Sequence, residues 1–257
     1  MTGNGEGLLV GVSALITGAS SGIGAAAARV FCREGARVTL VARREPELIA
    51  LTAELTQAGY EAQYVVADVS RSGDAARAVA AAVETYGGLD AAFNNAGVPA
   101  LPGLLHLTDD EVYDRVMDVN VRGVWNCMRA ELAAMVESGG GSIVNNSSTA
   151  GLVATVAGAP YIASKHAVIG LTKAAAKEYA PHRVRVNALA TGATRSEMLV
   201  DWMAGDPARE AAMADKAMLK RLAETEEIAE AALWLCTERS SYITGTTLAV
   251  DGGRLAN

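Results

Sequence analysis

Short apolar runs rich in Val, Ile, Leu and Ala alternate along this chain with longer stretches whose apolar positions recur every three or four residues. Runs of the first kind fit strands covered on both faces, and stretches of the second fit amphipathic helices packed over them. Strands are predicted at 10–16, 37–42, 62–67, 91–94, 142–146, 183–188 and 247–250, and helices at 25–33, 45–58, 73–86, 109–137, 161–179 and 225–237. This alternation predicts an α/β fold, a doubly wound parallel sheet of about seven strands with helices on both faces. The 257 residues show no internal repeat, low-complexity tract or long linker, so 1–257 read as a single domain.

With 51% hydrophobic residues the chain can bury a large core, and a net charge of −7 leaves no basic face for nucleic acid. Cys32, Cys127 and Cys236 are odd in number, far apart and without metal-type spacing, which fits reduced thiols packed as small apolar groups. The apolar stretch 8–16 lacks a basic flank before it and contains Gly11 and Ser13, so it reads as a first strand rather than a signal-peptide core. The longest mostly apolar stretch, 150–163, is broken by Gly158 and Pro160 and falls short of the roughly 20 residues of a membrane span. These features predict a cytoplasmic protein with no membrane or nucleic-acid partner.

The first predicted strand runs into Thr17-Gly18-Ala19-Ser20-Ser21-Gly22-Ile23-Gly24, and a predicted helix follows. A strand that ends in glycines and opens into a helix aims free N–H groups and the positive end of the helix dipole at one point, where a pyrophosphate is stabilised. Glycine also lets the backbone approach the phosphates with no Cβ in the way. Further on, Tyr161-Ile162-Ala163-Ser164-Lys165 sets a phenol and an ammonium one helical turn apart on one face. Alone, the first motif equals an ordinary glycine loop and the second a solvated helix face. Together and in this order they point to redox chemistry on a bound dinucleotide.

Across nearly its whole length the chain resembles the short-chain dehydrogenase/reductase family. The resemblance rests on the glycine-rich turn, Asp68-Val69 after the third strand, Asn94-Asn95-Ala96-Gly97 after the fourth, Asn120, the Ser147-Ser148 pair, and Tyr161 with Lys165. Thr244-Gly245 and Val250-Asp251-Gly252-Gly253 complete it near the C-terminus. It implies a Rossmann-type domain with a cofactor part over roughly 8–145 and a catalytic and substrate part over roughly 146–257. It also implies a catalytic set of Asn120, Ser148, Tyr161 and Lys165. Tyr161 would be the general acid in carbonyl reduction or the base in alcohol oxidation. A free phenol titrates near about 10, and Lys165, with an oxidised nicotinamide nearby, is expected to favour phenolate and lower that value. Ser148 stands 13 residues before Tyr161, the family's typical spacing, and is expected to hold and polarise the substrate oxygen. Ser147 is expected to be a structural strand-end hydroxyl. Asn120 would fix a helix kink and a water that connects Lys165 to solvent.

The cofactor contacts so implied fall on Gly18, Ser20, Ser21, Gly22, Ile23, Gly24, Asp68, Val69, Asn95, Ala96, Gly97, Tyr161, Lys165, Gly192, Thr194 and Ser196. Members of the family that prefer NAD usually carry an acid at the end of the second strand, where this chain has Ala42 followed by Arg43 and Arg44. No carboxylate would repel a 2′-phosphate there and a guanidinium can pair with it, so NADP(H) is preferred, with NAD(H) as the alternative. Arg43 could instead cover the adenine while Arg44 is solvated. Asp68 reads equally as an adenine-amine contact or a helix cap, because Ser70 and Gly73 follow.

After the sixth strand the family commonly shows Pro-Gly, an isoleucine two residues later and a threonine two beyond that, whereas this chain reads Ala190-Thr191-Gly192-Ala193-Thr194-Arg195-Ser196. Ser196 keeps a hydroxyl for the nicotinamide amide or the pyrophosphate, while Thr191 gives up the fixed φ of proline. The segment 195–218, which in the family closes over the pocket, carries Met198, Leu199, Trp202, Met203, Met213 and Met218, a deformable set suited to an apolar or cyclic molecule. Ala150, Leu152, Val153 and Val156 would extend that wall, although such residues also serve simply to pack helices. His106, His166 and His182 form no metal or triad pattern and are expected at the surface or an interface. The helices at 109–137 and 161–179 resemble those that pair between subunits in the family, so a homotetramer is expected, with a dimer as the alternative. The expected activity is hydride transfer between NADP(H) and a ketone or secondary alcohol, probing toward a ketoreductase. The rivals are an NAD-linked alcohol or diol dehydrogenase and a non-catalytic dinucleotide-binding regulator.

Overall fold

The computed structural model describes residues 7–256, and in it the strands are β1 (Ser13–Thr17), β2 (Arg37–Ala42), β3 (Ala62–Val66), β4 (Ala91–Asn94), β5 (Gly141–Asn146), β6 (Val184–Thr191) and β7 (Thr247–Val250). They form one parallel sheet in the order β3-β2-β1-β4-β5-β6-β7. The helices are α1 (Gly22–Arg33), α2 (Glu45–Gln57), α3 (Ser72–Tyr86), α4 (Asp110–Met117), α5 (Gly123–Ser138), α6 (Ala159–Tyr179), α7 (Glu197–Met203), α8 (Pro207–Asp215) and α9 (Thr225–Cys236). Successive side chains of a strand point to opposite faces, and β1 shows the result. Ala14 and Ile16 pack into the slab with α1, α2 and α9, while Leu15 joins the slab with α3, α5 and α6. The fold is therefore a Rossmann-type single domain with helices on both faces of the sheet.

Four departures from the pattern-based expectation have local reasons. β1 begins at Ser13 rather than at 10, because Gly11 takes a φ of +79° and Val12 N–H donates to the Leu9 carbonyl, closing a turn. β6 runs on to Thr191, whose register partner is Val250 of β7. The helix expected over 109–137 is two helices joined by a wider π-turn at Asp118–Arg122, and Asn120 lies within that turn. Two helices, α7 and α8, occupy a segment where none was assigned. Asp206 accepts from Ala208 N–H at 2.9 Å and Pro207 sits at the first helical position, a start signal for α8 that is legible in the residues.

Among the described residues no helix is long and apolar enough to cross a membrane. Cys32 and Cys127 are buried, Cys236 is half-buried, and all three are free thiols. The three histidines are exposed.

Candidate active site

The strand order reverses between β1 and β4, so the connections leaving their carboxyl ends diverge and open a crevice there. The glycine-rich turn lies on its floor. Gly18 has a φ of +66°, and a Cβ on it would come within 2.9 Å of the Ala96 Cα; Gly22 has a φ of +53° and faces Ser196. A Cβ on Gly24 would collide with the Gly18 carbonyl, so this glycine serves the packing of the turn and does not line the crevice. Thr17 Oγ1 accepts from the N–H groups of Asn95 and Ala96, both at 3.0 Å, which ties the turn to the end of β4. No side chain caps the first turn of α1, leaving its amides directed at the crevice. A cradle that a Cβ would fill, beneath an uncapped helix N-terminus, fits the pyrophosphate of a dinucleotide.

The crevice has a volume of about 860 Å³, and every cofactor-side residue expected from the sequence lines it except Gly24. Asp68 and Arg44 are engaged by partners within the protein. Asp68 Oδ1 accepts from Ser70 N–H at 3.0 Å and from Ser70 Oγ–H at 2.7 Å, the turn-capping role, while the residue still faces the crevice. Arg44 is not simply solvated, as its alternative reading had it. It forms a two-pronged ion pair with Glu197 of α7 at 2.9 and 3.2 Å and donates to the hydroxyls of Ser20 and Ser21. Arg43 is exposed at the crevice rim.

The other end of the crevice holds Ser148, Tyr161 and Lys165. Ser148 follows β5, and its Oγ accepts from Ala150 N–H at 3.1 Å, which fixes the hydroxyl in a short helical turn. α6 carries Tyr161 and Lys165 on one face, with Lys165 Nζ 5.6 Å from the centre of the Tyr161 ring. Lys165 is buried, and its Nζ donates to the Asn146 carbonyl at 2.8 Å. Ser147 Oγ donates to the Lys165 carbonyl at 2.9 Å, a structural contact as expected. Asn120 does not line the crevice. Its Oδ1 accepts from Val98 N–H at 2.8 Å, and its Nδ2 donates to the Val98 carbonyl and to Ser164 Oγ, both at 3.0 Å. It thereby fixes the loop after Gly97 against α6; an added Cβ on Gly97 would stand 3.3 Å from Asn120 Oδ1 and 3.7 Å from Lys165 Nζ.

Burial governs the electrostatics of the Tyr161–Lys165 pair. Burial raises the Tyr161 phenol above its usual value, and the neighbouring Ser148 hydroxyl only partly offsets that. Burial also lowers the Lys165 ammonium to about 8. Desolvation disfavours the charged form of both groups, so burial by itself keeps the phenol protonated and opposes the lowering expected of it.

On the substrate side, Ala150, Val156, Met198 and Trp202 line the crevice, whereas the half-exposed Leu152 and Val153, at the exit of the turn after Ser148, do not. Pro99, Ala100, Leu101 and Pro102, after β4, line it as well. This loop carried no periodic pattern by which to single it out.

Comparison with known proteins agrees with this geometry. A family model described as Enoyl-(Acyl carrier protein) reductase matches residues 18–254. An A-factor type gamma-butyrolactone 1′-reductase (1S-forming) of Streptomyces virginiae is 59% identical over 249 residues, covering 96% of this chain and 97% of that protein. The chain belongs to the short-chain dehydrogenase/reductase family. A 2,5-dichloro-2,5-cyclohexadiene-1,4-diol dehydrogenase of Sphingobium indicum is 38% identical, covering 95% of this chain and 97% of that one. A short-chain type dehydrogenase/reductase of Mycobacterium marinum superposes with a TM-score of 0.91 at 34% identity, covering 97% of each chain. As a short-chain dehydrogenase/reductase, the protein is an oxidoreductase acting on CH–OH or carbonyl groups with an NAD(P) dinucleotide.

The departures of this short-chain dehydrogenase/reductase after β6 now have a structural account. Thr191 Oγ1 donates to Asn146 Oδ1 at 2.6 Å, and Asn146 Nδ2 donates to Asn95 Oδ1 at 2.9 Å. Asn95 Nδ2 in turn donates to the carbonyls of Thr17 and Gly18 at 3.2 and 3.4 Å. A hydroxyl where proline has none thus closes a side-chain chain across the ends of β6, β5, β4 and β1. Thr194 Oγ1 donates to the Gly192 carbonyl at 3.1 Å and is buried, so its hydroxyl serves the loop. Asn146 and Glu197 escaped the sequence reading. Asn146 had one visible signal, a polar residue at the inner end of a buried strand next to the serine pair. Glu197 had none, because its partner Arg44 lies 153 residues away.

Proposed function

We propose that this protein is an NADP(H)-dependent ketoreductase acting on an apolar or cyclic substrate, with Ser148, Tyr161 and Lys165 as the catalytic residues and Asn120 as their support. The observation that carries this reading is the meeting of the Ser148 hydroxyl, the Tyr161 phenol and the buried Lys165 at the end of a crevice floored by the glycine-rich turn. A bound dinucleotide would supply the hydride in reduction or accept it in oxidation. Ser148 donates a hydrogen bond to the substrate oxygen and polarises it. Tyr161 transfers its phenolic proton to that oxygen as the carbon is reduced, and the resulting phenolate is stabilised by the Lys165 ammonium. The Asn146 carbonyl holds that ammonium in place, and Asn120 secures the loop beside it.

Three observations support the finer choices. Ala42 at the end of β2 brings no carboxylate and Arg43 stands exposed at the rim, which favours a 2′-phosphate. Ala150, Val156, Met198 and Trp202 make an apolar wall with the residues of 195–218. The 59% identity to a γ-butyrolactone reductase over nearly all of both chains favours a butyrolactone of the A-factor type, reduced at its 1′ position, as the first substrate to test. NAD-linked oxidation of a cyclic diol is the second reading, favoured by the capture of Arg44 by Glu197 and by the 38% identical diol dehydrogenase. A homotetramer fits the half-exposed Tyr113 and Trp125 on α4 and α5 and the fully exposed Tyr242.

The test is turnover of an A-factor type γ-butyrolactone, cyclic ketones and cyclic diols with each nucleotide, for the wild type and Tyr161→Phe. The variant is expected to bind NADPH as the wild type does, read by nucleotide fluorescence, yet to lose about 10²–10⁴-fold in kcat. Retention of a tenth or more of the activity would remove Tyr161 from the reaction.

A further inference from the structure

We propose that Glu197 is a specificity-determining residue that competes with the 2′-phosphate of NADP(H) for Arg44. This deepens the cofactor reading above and rests on it. Arg44 follows β2 on the adenosine side of the crevice, and each of its three guanidinium nitrogens has a partner within the protein. Nη1 and Nη2 grip the two Glu197 oxygens at 3.2 and 2.9 Å, Nη2 also donates to Ser21 Oγ at 2.7 Å, and Nε donates to Ser20 Oγ at 3.2 Å. Glu47 lies 3.4 Å from Nη1 on the far side. A planar guanidinium held by a carboxylate and two hydroxyls is the arrangement a phosphate would take, with the carboxylate in its place.

The Glu197 carboxyl belongs to this corner by chemistry as well as by position. Arg44 first and the Ser21 hydroxyl second hold its pKa down to about 2, so it is an anion at every working pH. Glu197 opens α7, and the residue before it, Ser196, packs against Gly22 of the glycine-rich turn. The ion pair therefore spans the mouth of the crevice, from the end of β2 to the segment 195–218. A 2′-phosphate dianion arriving beside Arg44 meets a like charge already seated on the guanidinium. To use Arg44 it must displace Glu197, which releases the start of α7. Nicotinamide dinucleotide without that phosphate needs no such displacement. Arg43, exposed and without an ion pair among the described residues, is the cation that a 2′-phosphate reaches first.

Dissociation constants for NADPH and NADH, and inhibition constants for adenosine 2′,5′-bisphosphate and 5′-AMP, are measured on the wild type, Glu197→Gln, Arg44→Ala and the double variant. Glu197→Gln is expected to raise the NADPH-over-NADH affinity ratio about fivefold, the fold-change of an exposed ion pair at the top of its usual range. The bisphosphate should tighten alike, 5′-AMP should not, and the gain should vanish in the Arg44→Ala background. Equal changes for both nucleotides, or the same gain without Arg44, would overturn the proposal. Glu197→Ala, with its melting temperature checked, repeats the measurement should the glutamine variant fold poorly. The cofactor reading fails separately, if wild type and Glu197→Gln both bind NADH more tightly than NADPH while the ratio still moves.

Discussion

Glu131 on α5 offers a test of how the interior beneath the site is wired. It is fully buried, and its Oε2 accepts from Asn94 Nδ2 at 2.9 Å. Asn94 Nδ2 also donates to Asn145 Oδ1 at 3.0 Å, and Asn145 Nδ2 donates to Thr172 Oγ1 at 2.9 Å. Glu131 Oε1 and Asn94 Oδ1 have no partner. Protonation relieves such a shortage, because it converts one carboxyl oxygen into a donor. Burial raises the Glu131 pKa from 4.5 to about 7, with only the Asn94 amide pulling it back. Since the folded value lies above the unfolded one, the stabilisation is fully present below about pH 4.5 and is lost as pH rises through about 7. At 1.36 kcal/mol per unit, a shift of this size corresponds to about 3 kcal/mol. Glu131→Gln keeps the side-chain shape and the Asn94 contact, carries a permanent N–H donor and cannot ionise. Denaturant titration at a series of pH values should place the variant within about 1 kcal/mol of wild type at pH 5 and about 3 kcal/mol above it at pH 9. For a chain of this length that gain is a rise in melting temperature of roughly 6–12 °C. A variant less stable than wild type by the same amount at every pH would mean that the carboxylate itself is required, and the assignment of a neutral Glu131 would be wrong.

Two further predictions concern the site. Lys165 titrates at about 8 because of burial, so kcat/KM for ketone reduction should be level below that pH and fall about tenfold per unit above it, as the ammonium is lost while Tyr161 stays protonated. A profile still level at pH 10 would show that the Lys165 charge is not needed. Thr191→Val removes the 2.6 Å bond to Asn146 and should cost about 1 kcal/mol, a fall of roughly 2–4 °C by calorimetry. An unchanged melting temperature would mean that the hydroxyl contributes nothing to the chain of asparagines.

The sheet was legible because its inner strands β1, β2, β4, β5 and β6 are buried on both faces and so are largely apolar, while the edge strands β3 and β7, only half-buried, still keep short apolar runs. Arg37–Ala42, Ala91–Asn94 and Thr247–Val250 stand where the pattern put them. What the pattern hid were breaks that leave hydrophobic periodicity intact. The π-turn at Asp118–Arg122 inserts a wider turn into a helix without altering which residues are apolar, and only Asn120, polar and buried, marks the spot. The exposed helices α7 and α8 have few buried positions, so the period that reveals a core helix is weak there.

The site divides along the same physical line. Gly18, Gly22, Tyr161 and Lys165 could be found because each meets a local demand, a positive φ, a close approach or one helical turn, and local demands leave fixed spacings in a chain, whereas Ser148 was found by its 13-residue distance from Tyr161. Arg44 and Glu197, or Thr191, Asn146 and Asn95, meet only after folding brings separate strand ends together, and no spacing encodes such a meeting. The proposed cofactor choice depends on contacts of this second kind. An arginine after β2 counts toward a 2′-phosphate only to the extent that the folded chain leaves it free, and here Glu197 already sits on Arg44 while Arg43 stands clear. The charge of a residue can be read from its letter, but its availability is a property of the fold.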